Sequence, residues 1–403
     1  YQEAIECYEA ILKVKPWDTR AWQNEGLLQR KLGQYQSAFI CFDNITKIEP
    51  ASFSGWCARA EVLYKFLGRH DEAIESYNNA LQIDPTDSSI WFDKGVCLYD
   101  LGRYSEALFS YDKAIELNPD KAKFWNNKGI VLKRLIRYSE AIKCFDKARE
   151  LDGSDASSWY NRGLTLDEMG QYEDAVRSFD KALEIDPESA DAWNNRGVSL
   201  KNQELYDEAI KSFDNAIAIN PNIADLHMAL GRNYRAVELY DKAYEEFNKA
   251  IPLDPTNPLP KLYLSRTYET VGEYARAIQY GEMAIKDDPS DPYLHGNLGI
   301  LFRRNGEIPK AIQSLRLAVR GGTTEDGTVV EGLPLDYGRI AQFYYTYGLA
   351  LATGGECAEA IQISATLLQN VSADDIAVYN AQEIINICAQ QSGLITPTPP
   401  GNE

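Results

Sequence analysis

Apolar side chains return along this chain at spacings of three and four residues, which places them on one face of a helix. These helical runs come in pairs, and the pair recurs about every 34 residues. Tryptophan marks the first run of six consecutive pairs, at Trp22, Trp56, Trp91, Trp125, Trp159 and Trp193. A small residue stands four positions after each: Gly26, Ala60, Gly95, Gly129, Gly163 and Gly197. The second run opens on a ring, continues with alanine and then a larger ring, as in Tyr104, Ala107, Tyr111 and in Tyr138, Ala141, Phe145. Most pairs close on proline (Pro50, Pro85, Pro119, Pro187, Pro221, Pro255, Pro289), with Gly153 once in that place.

Each recurring position has a physical reason. Two helices that cross closely need small side chains at the contact, and rings fill the groove beside them. Proline cannot continue a helix, so the second helix stops before the next pair begins. The constellation as a whole resembles the tetratricopeptide repeat, and the resemblance runs over nearly the full length. It is similar to the repeat arrays of O-linked N-acetylglucosamine transferases and of prokaryotic tetratricopeptide repeat proteins. The fold that this resemblance implies is all-α: a right-handed superhelical α-solenoid of helix-turn-helix units with a C-terminal capping helix.

The period divides the chain. Residues 1–18 read as the second helix of a truncated unit, 19–223 as a regular array and 224–319 as a divergent one. In the divergent part His227, Lys261 and His295 replace tryptophan, while Gly231, Ser265 and Gly299 keep the small site. The rhythm breaks over 320–336, where an Asp326-Gly327 turn suggests a loop or short hairpin. A degenerate unit and a capping helix are expected over 337–391, since the last repeat must cover an exposed core. A Thr/Pro-rich tail, 392–403, reads as an extended linker.

Charge also follows the period. The residue before the small site is basic in five consecutive units (Arg59, Lys94, Lys128, Arg162, Arg196). The residue after the large ring is Asn78, Asp112, Asp146, Asp180 and Asp214 in those units. Where the first becomes Leu230, Leu264 or Leu298, the second is no longer aspartate: Asn248, Glu282 or Arg316. A half-buried ion pair between helices, within or between neighbouring units, is the reading.

In the family resembled, the first helices line a concave face on which ligands lie. The position two after tryptophan holds Asn24, Asp93, Asn127, Asn161 and Asn195, and later Asn297. This row is similar to the asparagine ladder of the glycosyltransferase arrays, and an amide there can both donate to and accept from a peptide backbone. Asn127, Asn161 and Asn195 form the uninterrupted stretch; Ala58, Ala229 and Tyr263 interrupt it. Tyr99, Lys133 and Tyr160 are expected on the same face, and all eight positions are candidate peptide contacts. A rival reading makes the asparagines ordinary filler that bonds a neighbouring helix. The family's carboxylate clamp needs lysine one residue after the tryptophan, where this chain has Gln23, Cys57, Phe92, Asn126, Tyr160 and Asn194.

Composition narrows the field further. The net charge is −19, from 60 acidic and 41 basic side chains. That field repels phosphate backbones and anionic lipid, so no nucleic acid and no membrane insertion are expected. A basic or hydrophobic peptide fits such a charge better, although an acid excess also serves solubility alone. No metal, cofactor or catalytic set is legible: the three histidines are His70, His227 and His295, and two of them occupy tryptophan positions. The seven cysteines include no CxxC, and only Cys357 and Cys388 are candidates to meet. The leading expectation is a non-enzymatic scaffold for a peptide or protein segment. Its rivals are an arm of a larger enzyme and end-to-end self-association through exposed solenoid ends, since 1–18 leaves an apolar helix face without a partner. Cytoplasm is the first expectation for compartment, with the cell surface or secretion second.

Overall fold

The structure is a computed structural model and describes residues 1–393; the remainder of the expected Thr/Pro tail lies outside the described residues. Two compact units divide the chain, Tyr1–Leu205 and Tyr206–Glu403. Unit 1 holds α1 (Gln2–Val14), α2 (Thr19–Lys31), α3 (Tyr35–Ile48), α4 (Phe53–Lys65), α5 (His70–Ile83), α6 (Ser88–Asp100), α7 (Tyr104–Leu117), α8 (Ala122–Arg134), α9 (Tyr138–Leu151), α10 (Ala156–Glu168), α11 (Tyr172–Ile185) and α12 (Ala190–Asn202). Unit 2 holds α13 (Tyr206–Ile219), α14 (Ala224–Ala236), α15 (Tyr240–Leu253), α16 (Leu259–Thr270), α17 (Tyr274–Asp287), α18 (Pro292–Arg304) and α19 (Ile308–Arg320). It continues through the short strands β1 (Gly322–Thr323) and β2 (Val329–Val330) to α20 (Arg339–Thr353), α21 (Cys357–Asn370) and α22 (Asp375–Gln391). The protein is an all-α repeat array.

Local chemistry sets the helix ends. Asp18, Asp87, Asp155, Ser189 and Asp291 each accept a hydrogen bond from a free backbone N–H at the start of a first helix. The turn into the second helix needs one residue at positive φ. Glycine supplies it at Gly33, Gly102, Gly170 and Gly272, whereas Ile136, Glu204 and Glu238 adopt φ of 61°, 62° and 61° there.

The small site and the large ring meet as helical packing requires. A Cβ added to Gly95, Gly129, Gly163 or Gly231 would lie 2.6–2.7 Å from Tyr111, Phe145, Phe179 or Phe247. Those four rings are fully buried. The tryptophan does more than fill space. Its indole N–H donates to the carbonyl of the proline that closes the preceding helix, at 2.9 Å for Trp22 and Pro16 and 2.8 Å for Trp125 and Pro119. The replacements keep the donor. His227 Nε2 meets Pro221 O at 3.0 Å, Lys261 Nζ meets Pro255 O at 3.1 Å and His295 Nε2 meets Pro289 O at 2.9 Å. The histidines therefore serve as polar latches, a role that simple ring packing does not describe.

The charge pairs join neighbouring repeats. Arg59 binds Asp43 at 2.8 Å, Lys128 binds Asp112 at 2.6 Å, Arg162 binds Asp146 at 3.0 Å and Arg196 binds Asp180 at 2.6 Å. In each case the aspartate belongs to the second helix of the preceding repeat. Arg162 also donates to Ser178 in its own repeat at 2.7 Å, so one guanidinium links three helices.

After α19 the chain leaves the helical rhythm. β1 and β2 pair antiparallel, with Gly322 opposite Val330 and Thr323 opposite Val329. The Leu333 carbonyl beyond the ribbon accepts from the buried Tyr344 hydroxyl at 2.8 Å. At the far end α22 buries Ala377, Ala381, Ile384 and Cys388, and a Cys357–Cys388 disulfide ties it to α21. Cys7, Cys41, Cys57, Cys97 and Cys144 are free thiols.

Candidate functional site

Within unit 1 the first helices α6, α8, α10 and α12 touch in succession, so residues at one repeat position form a row. Asn127 is half-buried on α8 and donates to Lys123 O, one turn back in its own helix, at 2.8 Å. Asn161 on α10 donates across to Asn126 Oδ1 on α8 at 3.2 Å. Asn195 on α12 donates to the Tyr160 hydroxyl on α10 at 3.0 Å and to Asp191 O at 2.8 Å. Amide and phenol groups thus bridge α8 to α10 and α10 to α12.

These bonds set what the row can offer. Both amide hydrogens of Asn195 are committed, and Asn127 and Asn161 each use one. The Oδ1 oxygens of all three accept no bond from a protein group among the described residues. The row presents more acceptors than donors. Its chemistry suits the N–H groups of an extended chain better than its carbonyls.

The other candidates divide. Tyr160 sits in the row, and burial, followed by Asp191, raises its phenol above the ordinary value. Asp93 is half-buried on α6; burial raises its carboxyl against the pull of Lys65 and Lys123. The Tyr99 hydroxyl accepts from Arg134 Nε at 3.3 Å. Lys133 is largely buried and occupied by Glu168 at 3.1 Å, one repeat on. Asn24 is exposed on α2, apart from the bridged stretch. Asn126, which anchors Asn161, matters more than its place beside the ladder suggested, and the adjacent Asn126-Asn127 and Asn194-Asn195 pairs were the available signal.

The corresponding face of unit 2 has different chemistry. Asn297 donates to Tyr293 O at 2.6 Å and accepts from Arg339 Nε at 3.1 Å. Elsewhere in unit 2 a cleft of about 1060 Å³ opens between α17, α18, α19 and the ribbon, lined by His295, Phe302, Arg316 and Thr323 among others. Among the described residues no group of three or more His, Cys, Asp or Glu is placed to hold a metal ion. No helix among them is long and apolar enough to cross a membrane.

Comparison with known proteins agrees with this architecture. Tetratricopeptide repeat models match residues 19–52, 88–121, 110–143, 156–189, 190–223, 224–257 and 262–326, and a TPR repeat model matches 67–102. No curated protein matches the sequence. Among solved structures, the chain is similar to the C-terminal part of a TPR repeat-containing protein from Cytophaga hutchinsonii. The identity is 20%, with 60% of this chain and 98% of that chain covered and a TM-score of 0.51. It is also similar to a tetratricopeptide repeat protein from Parabacteroides merdae, at 19% identity over 62% of this chain and 98% of that one, with a TM-score of 0.48. A third likeness is to YrrB, described as a TPR protein with an unusual peptide-binding site, at 27% identity over 46% and 96% of the two chains and a TM-score of 0.41. With the repeat models falling on well over half of its residues, and its glycines, rings and closing prolines making the contacts that define the repeat, this chain belongs to the tetratricopeptide repeat family.

Proposed function

We propose that unit 1 holds an extended peptide segment of a partner protein along its first-helix face. A tetratricopeptide repeat array is a protein-interaction scaffold, and the finer reading names the row that grips. Asn127, Asn161 and Asn195 would accept hydrogen bonds from the peptide backbone, with Tyr160 and Asn126 fixing the amide orientations. The observation that carries this reading is the pair of bridges, Asn161 to Asn126 and Asn195 to Tyr160, which hold the amides in place while leaving their oxygens to accept. Pre-positioned acceptors lose little entropy on binding. Backbone recognition reads little sequence, so the segment is defined by being extended and accessible. No reaction is assigned.

Replacing Asn127, Asn161 and Asn195 together by alanine tests it. Each lost hydrogen bond is worth about 0.5–1.5 kcal/mol, so retention of an immobilised random-sequence peptide pool should weaken on the order of tenfold or more. The variant should remain folded, its melting temperature lowered only by the lost inter-helix amide bonds, because none of the three side chains fills the ring core. Undiminished retention by a folded triple variant would reject the ladder.

A further inference from the structure

The first-helix face of unit 2 gathers arginines on four successive first helices. Arg235 lies on α14, Arg266 on α16, Arg303 and Arg304 on α18, and Arg339 on α20. In a chain of net charge −19 this is a local reversal of sign. The guanidinium groups act on one another. Burial and then Arg266 pull Arg235 below its ordinary value, and the same two causes lower Arg339, with Arg304 adding to them. Burial and then Arg304 do so for Arg303.

Few anions answer this charge. Glu269 binds Arg304 at 2.8 Å and is the carboxylate common to Arg235 and Arg339. Arg339 donates to neutral acceptors, Asn297 Oδ1 at 3.1 Å and Gln342 Oε1 at 2.7 Å. Arg235, Arg266 and Arg303 are half-buried and make no ion pair with any described residue. Beside Arg303 and Arg304 a polar cavity of about 260 Å³ opens between α18, α20 and α22, with Gln342, Tyr345 and Asn380 on its walls. Half-buried cations held together against their own repulsion cost stability, and an arriving anion offsets that cost. Guanidinium binds carboxylate in a bidentate fork, and amides beside it can take a peptide backbone.

We propose that this face is a docking site for an acidic peptide segment, whose Asp and Glu carboxylates pair with Arg235, Arg266, Arg303 and Arg339. The occupant is a peptide and not a nucleic acid because of what stands beside the charge. Beside the arginines the cavity walls carry Gln342, Tyr345 and Asn380, whose amides and phenol can donate to and accept from a peptide backbone while the guanidiniums take its carboxylates. The assignment rests on the scaffold reading but not on the unit 1 ladder. It also runs against the expectation of a basic partner drawn from net charge alone, because the sum over the chain hides a local patch.

The test uses the full chain and fluorescein-labelled oligoglutamate, with oligoglutamine and a single-stranded oligonucleotide as comparators, read by fluorescence polarisation. Oligoglutamate should bind at least about tenfold more tightly than oligoglutamine and weaken as salt rises. The double variant Arg266→Gln/Arg303→Gln should lose at least about tenfold of that affinity, and the unit 1 asparagine triple variant should lose none. If the glutamine pair fails to fold, amide exchange of the parent chain decides: oligoglutamate should protect α16, α18 and α20. Equal affinity for oligoglutamate and oligoglutamine would overturn the proposal. So would tighter binding of the oligonucleotide, unchanged binding by a folded glutamine pair, or loss of oligoglutamate in the asparagine variant. A failed ladder shows separately, as unchanged retention of the random peptide pool.

Discussion

The two units use one repeat position in opposite ways. In unit 1 the residue before the small site is a cation that reaches back to the preceding repeat at Arg59, Lys128, Arg162 and Arg196, as Arg59 does to Asp43 and Arg162 to Asp146. In unit 2 Leu230, Leu264 and Leu298 occupy that position and are buried, at 2%, 0% and 5% exposure. The ring pocket beside them is unchanged: Phe145 in unit 1 and Phe247 in unit 2 are both 0% exposed. The fold therefore depends on the ring and the small residue. The neighbouring position is free to be an ionic or an apolar seam.

The largest expected effect tests what the units share. Phe145→Ala and Phe247→Ala should each cost about 3–5 kcal/mol, measured by chemical denaturation of the full chain. A much smaller cost in either unit would end the claim that the ring pocket carries both. Next in size is the seam. Asp146→Ala leaves Arg162 without its carboxylate in a half-buried setting and should cost about 1–3 kcal/mol. Asp214 sits at the same repeat position, but the spacing sets it against Leu230, and burial and then Glu246 push its carboxyl up. Asp214→Asn should therefore be neutral or stabilising. A loss equal to that of Asp146→Ala would remove the distinction between seams.

Acid should separate the units further. Burial alone would raise the Asp43 carboxyl, yet hydrogen bonds from Lys47 and Arg59 hold it below its ordinary value. Its contribution is present above the ordinary carboxylate range and is lost as pH falls through the lowered value. Asp214 is raised, so its ionisation opposes folding at neutral pH, and that penalty fades as pH falls through the raised value. The destabilisation by Asp43→Asn should shrink on acidification below about pH 4, and any gain from Asp214→Asn should already shrink at higher pH. Thermal melts across pH would show both trends, and the same trend for the two variants would contradict the assignment. The smallest effect concerns a turn. Ile136 holds φ of 61° where most repeats have glycine, and Ile136→Gly should raise stability by about 1 kcal/mol.

Much of this was legible in the sequence because the repeat reports one contact many times. The spacing of Gly129 and Phe145 recurs in Gly163 and Phe179, and physical contact follows from it. The register of the ion pairs was harder to see, since Asp112 could have met Lys94 within its own unit or Lys128 in the next. The structure puts the partners sixteen residues apart, across the repeat boundary. By that spacing Lys94 falls opposite Asn78, and it lies instead over the Trp91 ring at 5.1 Å. The tryptophan position misled in a different way. Trp, His and Lys share no apolar character; what they share is an N–H aimed at a carbonyl. Among the candidate contacts, Lys133 looked available because sequence does not show that Glu168 reaches it. Arg235 and Arg303 stand two repeat lengths apart at one position, and that regularity was the visible trace of the arginine row. Arg266 and Arg339 lie off the period and join the row only through the packing of the first helices.

The central claim is that first helices present the binding face and second helices support it. Hydrogen exchange of the full chain with and without a saturating random-sequence peptide pool tests this most directly. The account predicts added protection in α8, α10 and α12, with α9 and α11 unchanged. Protection confined to α9 and α11, or to the exposed ends of the array, would contradict it.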